Sequence, residues 1–120
     1  MAKGRDDTPQ NLLDGTLLDQ LYEVILERRG ADPETSHTAK LFERGLAKIA
    51  QKVGEEAVET VIEGVDGKRA RLAEESADLL YHLMVLWAAR DIRPAQVWQV
   101  LASRRRVAKL FKPGEAAGSS

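Results

Sequence analysis

Lys52-Val53-Gly54-Glu55-Glu56-Ala57-Val58-Glu59 and, after a gap of fifteen residues, Glu75-Ser76-Ala77-Asp78 carry the pattern that decides the fold. Around the first stretch, Phe42, Leu46, Ile49, Val53 and Ala57 recur every three or four residues, the spacing of a helix with one apolar seam. This predicts a helix from about Thr38 to Glu63, stopped at Gly64 before an Asp66-Gly67 turn, and a second from about Lys68 to Arg90. With each residue advancing about 100°, Lys52, Glu56, Glu59 and Glu63 share one arc beside the seam. Arg71, Glu75, Asp78 and His82 share another, flanked by Leu72, Leu79 and Leu86. Antiparallel packing would turn the two carboxylate pairs towards each other. Gly45 and Gly54 each cost about 1 kcal/mol relative to Ala inside a helix. Either they mark a close approach of helices or the helix breaks near one of them.

Outward from this pair, Leu17 to Arg29 reads as a helix with Thr16 as N-cap and Gly30 as its stop. Leu17, Leu18, Leu21, Val24, Ile25 and Leu26 form its apolar face, and a loop with Pro33 follows. A last helix begins near Pro94 and carries Val97, Trp98, Val100 and Leu101. The expected fold is all-α: a four-helix chain with antiparallel central helices. Leu79 to Ala89 is apolar almost all the way round, and such a helix must be covered on every side. Three other helices offer too little cover, so a homo-oligomer is expected, most simply a dimer that completes the bundle. Residues 1–11 read as a flexible leader, 12–112 as the domain and 113–120 as a flexible tail.

A chain of 120 residues, 43% hydrophobic and 31% charged, suits one globular domain. A net charge of −1 supplies no basic field for nucleic acid or an anionic membrane, so neither is an expected partner. The absence of cysteine removes disulfides and thiolate chemistry and agrees with a cytoplasmic location. Met1 to Gln10 has no apolar core, so no secretory signal is expected, and no apolar run approaches the roughly 20 residues of a membrane span.

Four carboxylates at the edge of a core repel one another unless cations neutralise them. Oxygen-only ligands suit Mg²⁺, with Mn²⁺ as a substitute, better than zinc or copper. The competing reading is a solvated acidic face paired with lysines and arginines. Lys52, one turn before Glu56, can pair with that carboxylate or reach a phosphate. Lys40, Arg44 and Lys48 form an i, i+4 basic series that either meets phosphates or faces solvent; Lys52 and Lys48 are the candidate phosphate ligands. His82, one turn beyond Asp78, reads as a hydrogen-bonding support behind the ligands or a satisfied core histidine, ahead of a direct metal ligand. Position 79 is Leu, so no Glu-x-x-His pattern exists and a ferritin-like di-iron site is disfavoured. Arg104-Arg105-Arg106 reads as a solvated or inter-subunit face, and Trp87 and Trp98 as core or interface.

Glu55-Glu56-x-x-Glu59 with Glu75-x-x-Asp78 resembles the magnesium motif of the all-α nucleotide pyrophosphohydrolases, the MazG-like superfamily. Ser36-His37-Thr38-Ala39-Lys40-Leu41-Phe42, Lys52 to Ala57 and Ala77-Asp78-Leu79-Leu80-Tyr81-His82-Leu83 narrow the resemblance to the phosphoribosyl-ATP pyrophosphohydrolases of histidine biosynthesis. His37 departs from it, since that family more often carries Tyr there. The resemblance implies a stand-alone hydrolase that cleaves 1-(5-phosphoribosyl)-ATP to 1-(5-phosphoribosyl)-AMP and pyrophosphate with Mg²⁺. It implies that Glu56, Glu59, Glu75 and Asp78 hold the metal and that Glu55 or Glu56 takes the proton from water. Two other functions compete: a housecleaning pyrophosphatase for ordinary or damaged nucleoside triphosphates, and a metal-free helical adaptor.

Overall fold

The computed structural model describes residues 13–106, and over that range the chain is helical throughout, without strands. The expected leader (1–11) and tail (113–120) lie outside the described residues. Five helices follow in order: α1 (Thr16–Arg28), α2 (His37–Arg44), α3 (Leu46–Asp66), α4 (Arg69–Ala89) and α5 (Pro94–Arg106). The expectation of four is corrected at Gly45. There the backbone turns to φ 98° and ψ 171°, a region that glycine alone enters without strain, and the long second helix becomes α2 and α3. Ser36 starts α2 by accepting the Ala39 amide on its hydroxyl.

Other boundaries also move. Thr16 lies inside α1 rather than capping it, and Asp14 accepts both its amide and its hydroxyl. Helix α3 runs through Gly64 to Asp66, because Gly67 makes the turn. A Cβ at Gly67 would come within 2.9 Å of the Glu63 Cα, so no side chain fits there. The two residues between α3 and α4 fold them into an antiparallel hairpin, paired along its length from Glu63 and Arg71 to Glu56 and Asp78. Just past the end of α4, Asp91 is a non-glycine residue at φ 60°.

The core sits at one end of this hairpin. Ile49 of α3 and Met84, Val85 and Ala88 of α4 pack with Tyr22 and Ile25 of α1 and Leu41 of α2. Tyr22, which the periodicity did not single out, is almost wholly buried and donates its hydroxyl to the Ile92 carbonyl at 2.7 Å. Arg29 donates to the Ala88 carbonyl at the end of α4 and lies over the Phe42 ring. Trp87 and Trp98, both partly buried, meet edge to face at 6.2 Å and tie α4 to α5. Of Leu79 to Ala89, His82, Met84, Val85 and Ala88 are buried within the chain, and the remaining residues are only partly covered or exposed.

Apolar surface is exposed at Leu80 of α4 and more extensively on α3. Val58, Val61, Ile62 and Val65, on the half of α3 beyond the core, are 59, 63, 55 and 84% exposed. Leu17, Val24 and Leu46, expected on apolar faces, are also substantially exposed.

The two glycines of the long predicted helix now differ in kind. Gly45 has a backbone closed to L side chains, whereas Gly54 is helical with no atom within 4 Å of an added Cβ. Gly45→Ala should destabilise the protein by about 1–3 kcal/mol, while Gly54→Ala should stabilise it by up to about 1 kcal/mol. Urea midpoints at one protein concentration test this, and shifts of the same sign in both variants would refute the distinction.

Candidate active site

The turn at Gly67 sets the register that brings the two acidic arcs together. Glu56 from α3 and Glu75 and Asp78 from α4 each offer a carboxylate oxygen within 4.8 Å of the others. Glu56 and Glu75 are buried, and Asp78 faces solvent. Glu59 is exposed and shares a hydrogen bond with Glu75, placing it at the rim of this trio. The Thr60 hydroxyl lies 2.8 Å from the Glu56 carbonyl and 3.3 Å from the Glu75 carbonyl, pinning the helices where the carboxylates meet.

Cations flank the cluster. Lys52 approaches Glu55 at 3.2 Å and Glu56 at 3.9 Å. On the other side Arg71 lies 3.7 Å from Glu75 and 3.9 Å from Glu63. Even so, Glu56 Oε1 and Glu75 Oε1 are buried without a hydrogen-bond partner. Orphaned carboxylate oxygens at the edge of a core are costly, and a divalent cation with a preference for oxygen would satisfy both. The donor set fits Mg²⁺ or Mn²⁺ and contains no sulfur or imidazole for a softer ion.

Glu55 stands apart. Gln51 donates to its Oε2 at 2.7 Å and Lys52 meets its Oε1, and these bonds hold its carboxyl below the usual range. Lys48 lies on the Glu55 side and lends its charge to that stabilisation. Of the two proposed proton acceptors, only Glu56 is buried and joins the trio.

His82 is 6% exposed. Its Nδ1 lies 2.8 Å from the Asp78 carbonyl, so a proton there is donated to the backbone of a trio residue. Its Nε2 is buried and unpartnered. The ring packs edge-on to Tyr81 at 4.9 Å and to His37 at 6.3 Å. Thr38 and Tyr81 share a hydroxyl hydrogen bond at 2.5 Å, joining the start of α2 to α4. Spacing could not pair residues 43 positions apart; both merely lie in stretches that carried the family resemblance. Arg104 and Arg105 are exposed on α5, and nothing links them to the trio.

Hydrogen bonding to Glu59 foremost, then desolvation and the charges of Glu59, Glu56 and Asp78, push Glu75 from 4.5 to about 7. Between those values the folded chain holds a proton that the unfolded chain has released, so this group makes stability fall as pH rises through that window. Melting of the metal-free protein in chelator should show that decline. Saturating Mg²⁺ should remove it, because the cation replaces the proton. A stability profile in chelator that rises steadily from pH 4.5 to 7 would contradict the clustering.

Known proteins resemble this chain over the stretch that carries the site. The chain matches the phosphoribosyl-ATP pyrophosphohydrolase family over residues 18–105, which includes every helix position of the site. It is 64% identical over 95 residues to the phosphoribosyl-ATP pyrophosphatase of Azospirillum brasilense, covering 79% of this chain and 86% of the relative. The enzyme of the same name from Paramagnetospirillum magneticum is 56% identical over 91 residues, 76% of this chain and 84% of its own length. That of Granulibacter bethesdensis is 46% identical over 112 residues, covering 93% and 69%. On this match, and on the acidic hairpin that lies within it, the chain belongs to the phosphoribosyl-ATP pyrophosphohydrolase family.

Proposed function

We propose that this chain hydrolyses 1-(5-phosphoribosyl)-ATP to 1-(5-phosphoribosyl)-AMP and pyrophosphate, an early step of histidine biosynthesis, with Mg²⁺ bound by Glu56, Glu59, Glu75 and Asp78. The observation that carries the reading is the carboxylate trio in which Glu56 and Glu75 are buried, each with an orphaned oxygen. A solvated acidic face would leave its oxygens in water, which disfavours the metal-free adaptor. Bound there, a divalent cation would neutralise charge on the phosphates and orient water.

The chain's own groups divide the remaining work. Lys52 and Lys48, beside Glu55, would contact phosphate oxygens and offset the charge of the leaving pyrophosphate. Both oxygens of Glu55 are already engaged, whereas Glu56 lies within the trio that would hold the cation, so Glu56 is the better placed to take a proton from water oriented there. His82 would hold the Asp78 backbone in place through Nδ1. The cytoplasm is the proposed location, and no described helix is long and apolar enough to cross a membrane.

We also infer a homodimer. Its support is the exposed row Val58, Val61, Ile62 and Val65 on one helix, beside the site. Contiguous apolar surface of this kind marks an association face. A second copy of the same helix would cover it about a twofold axis.

Glu56→Gln should lower pyrophosphate release from phosphoribosyl-ATP by about a hundredfold or more, while Glu55→Gln should lose less than about tenfold. Equal losses in the two variants, with far-ultraviolet helicity intact, would reverse the assignment of the base. Release that persists in excess chelator would remove the metal from the mechanism. Val61→Glu should convert a dimer to a monomer in analytical ultracentrifugation; an unchanged sedimentation coefficient would locate the interface elsewhere.

A further inference from the structure

A second polar cluster lies one turn along α4 from the acidic trio. His37 and Thr38 at the start of α2 face Tyr81 and His82 of α4. The His37 and Tyr81 rings lie 6.2 Å apart at 27°, and His82 closes the triangle. The charges acting on this cluster are positive. Lys52 and Lys40 act at His37, and Arg28 acts at Tyr81. Burial, followed by His82 and these two lysines, holds the His37 ring below its usual titration range. No carboxylate among the described residues pairs with His37 or Lys40. Within the same ring cluster His82 Nε2 is buried and lacks any partner. A partly exposed surface ringed by basic side chains, next to the acidic trio, calls for an anion distinct from the one the metal would hold.

We propose that His37, Lys40 and the Thr38–Tyr81 hydroxyl pair form the subsite for the sugar phosphate that distinguishes phosphoribosyl-ATP from ATP. The inference rests on the function proposed above. The substrate carries two anionic ends, a triphosphate and a separate phosphomonoester. The triphosphate belongs at the acidic trio, where a divalent cation would mediate the contact. The phosphomonoester needs direct donors, and Lys40 supplies them together with whichever hydroxyl of the Thr38–Tyr81 pair is not donating to the other. Lys52, which reaches Glu55 and Glu56 and also acts at His37, lies between the two ends. The subsite thus selects substrate by charge at a point remote from the bond that breaks.

Ribose 5-phosphate is the probe, added to the full chain in chelator while the His37 and Tyr81 ring resonances are followed. Saturable shifts at both rings are expected, with the dissociation constant raised about tenfold or more in Lys40→Ala. Tyr81→Phe, which keeps the ring and loses the hydroxyl, should also weaken binding. With turnover, Lys40→Ala should lower the preference for phosphoribosyl-ATP over ATP, as a ratio of kcat/KM, by a similar factor. No shifts with millimolar ribose 5-phosphate, or an unchanged dissociation constant in Lys40→Ala, would overturn the subsite. So would shifts of the same rings by pyrophosphate but not by ribose 5-phosphate. If ribose 5-phosphate binds as described while phosphoribosyl-ATP is not cleaved, the subsite stands and the proposed reaction falls.

Discussion

Like charges held close together are the constraint on which this molecule turns. Two carboxylates about 4 Å apart repel by roughly 4 kcal/mol at a dielectric constant of 20, and Glu56, Glu75 and Asp78 are confined within 4.8 Å. The hairpin imposes that proximity: the turn at Gly67 fixes the register, and the Thr60 hydroxyl spans from one helix to the other. Lys52 and Arg71 relieve the repulsion from outside without reaching the orphaned oxygens. Without a divalent cation, a proton on Glu75 relieves the rest. Crowding of like charge at such a cluster lowers stability when no ligand is bound.

The fold keeps this tension away from its core. Apolar packing gathers at the end of the hairpin where α1 and α2 cover Ile49, Met84, Val85 and Ala88. The acidic trio lies further along, where those two helices no longer reach. Between core and trio stand Tyr81 and His82, which touch both α2 and the site. The kink at Gly45 serves this arrangement. A straight helix from Thr38 onward would carry His37 and Thr38 away from α4, whereas the turned backbone folds them onto Tyr81.

Two regions of opposite sign therefore share one short stretch of α4. The acidic one suits a cation and the phosphates it would carry; the basic one suits an anion that needs no metal. A substrate with charged groups at both ends can span them, which agrees with the family to which the chain belongs. The apolar row on α3 runs beside the same site. Its burial by a second copy would remove water near the carboxylates and strengthen every charge interaction there.

Helical periodicity and the spacing of Glu56, Glu59, Glu75 and Asp78 were enough to establish an all-α chain, a central antiparallel pair and an acidic centre between them. Those features follow from local rules, since the helix repeat sets which side chains share an arc. Residues 42 to 57 equally supported one long helix, because a seam of period 3.6 says nothing of a single glycine's φ. Which glycine breaks the helix depends on where α2 must lie to cover α4. Tyr22 escaped notice because its burial depends on the distant Ile92 carbonyl. The separation of Glu55 from Glu56, the rim position of Glu59 and the contact of Thr38 with Tyr81 are likewise tertiary. Each depends on how two helices are rotated against one another, and the packing of the whole core decides that rotation.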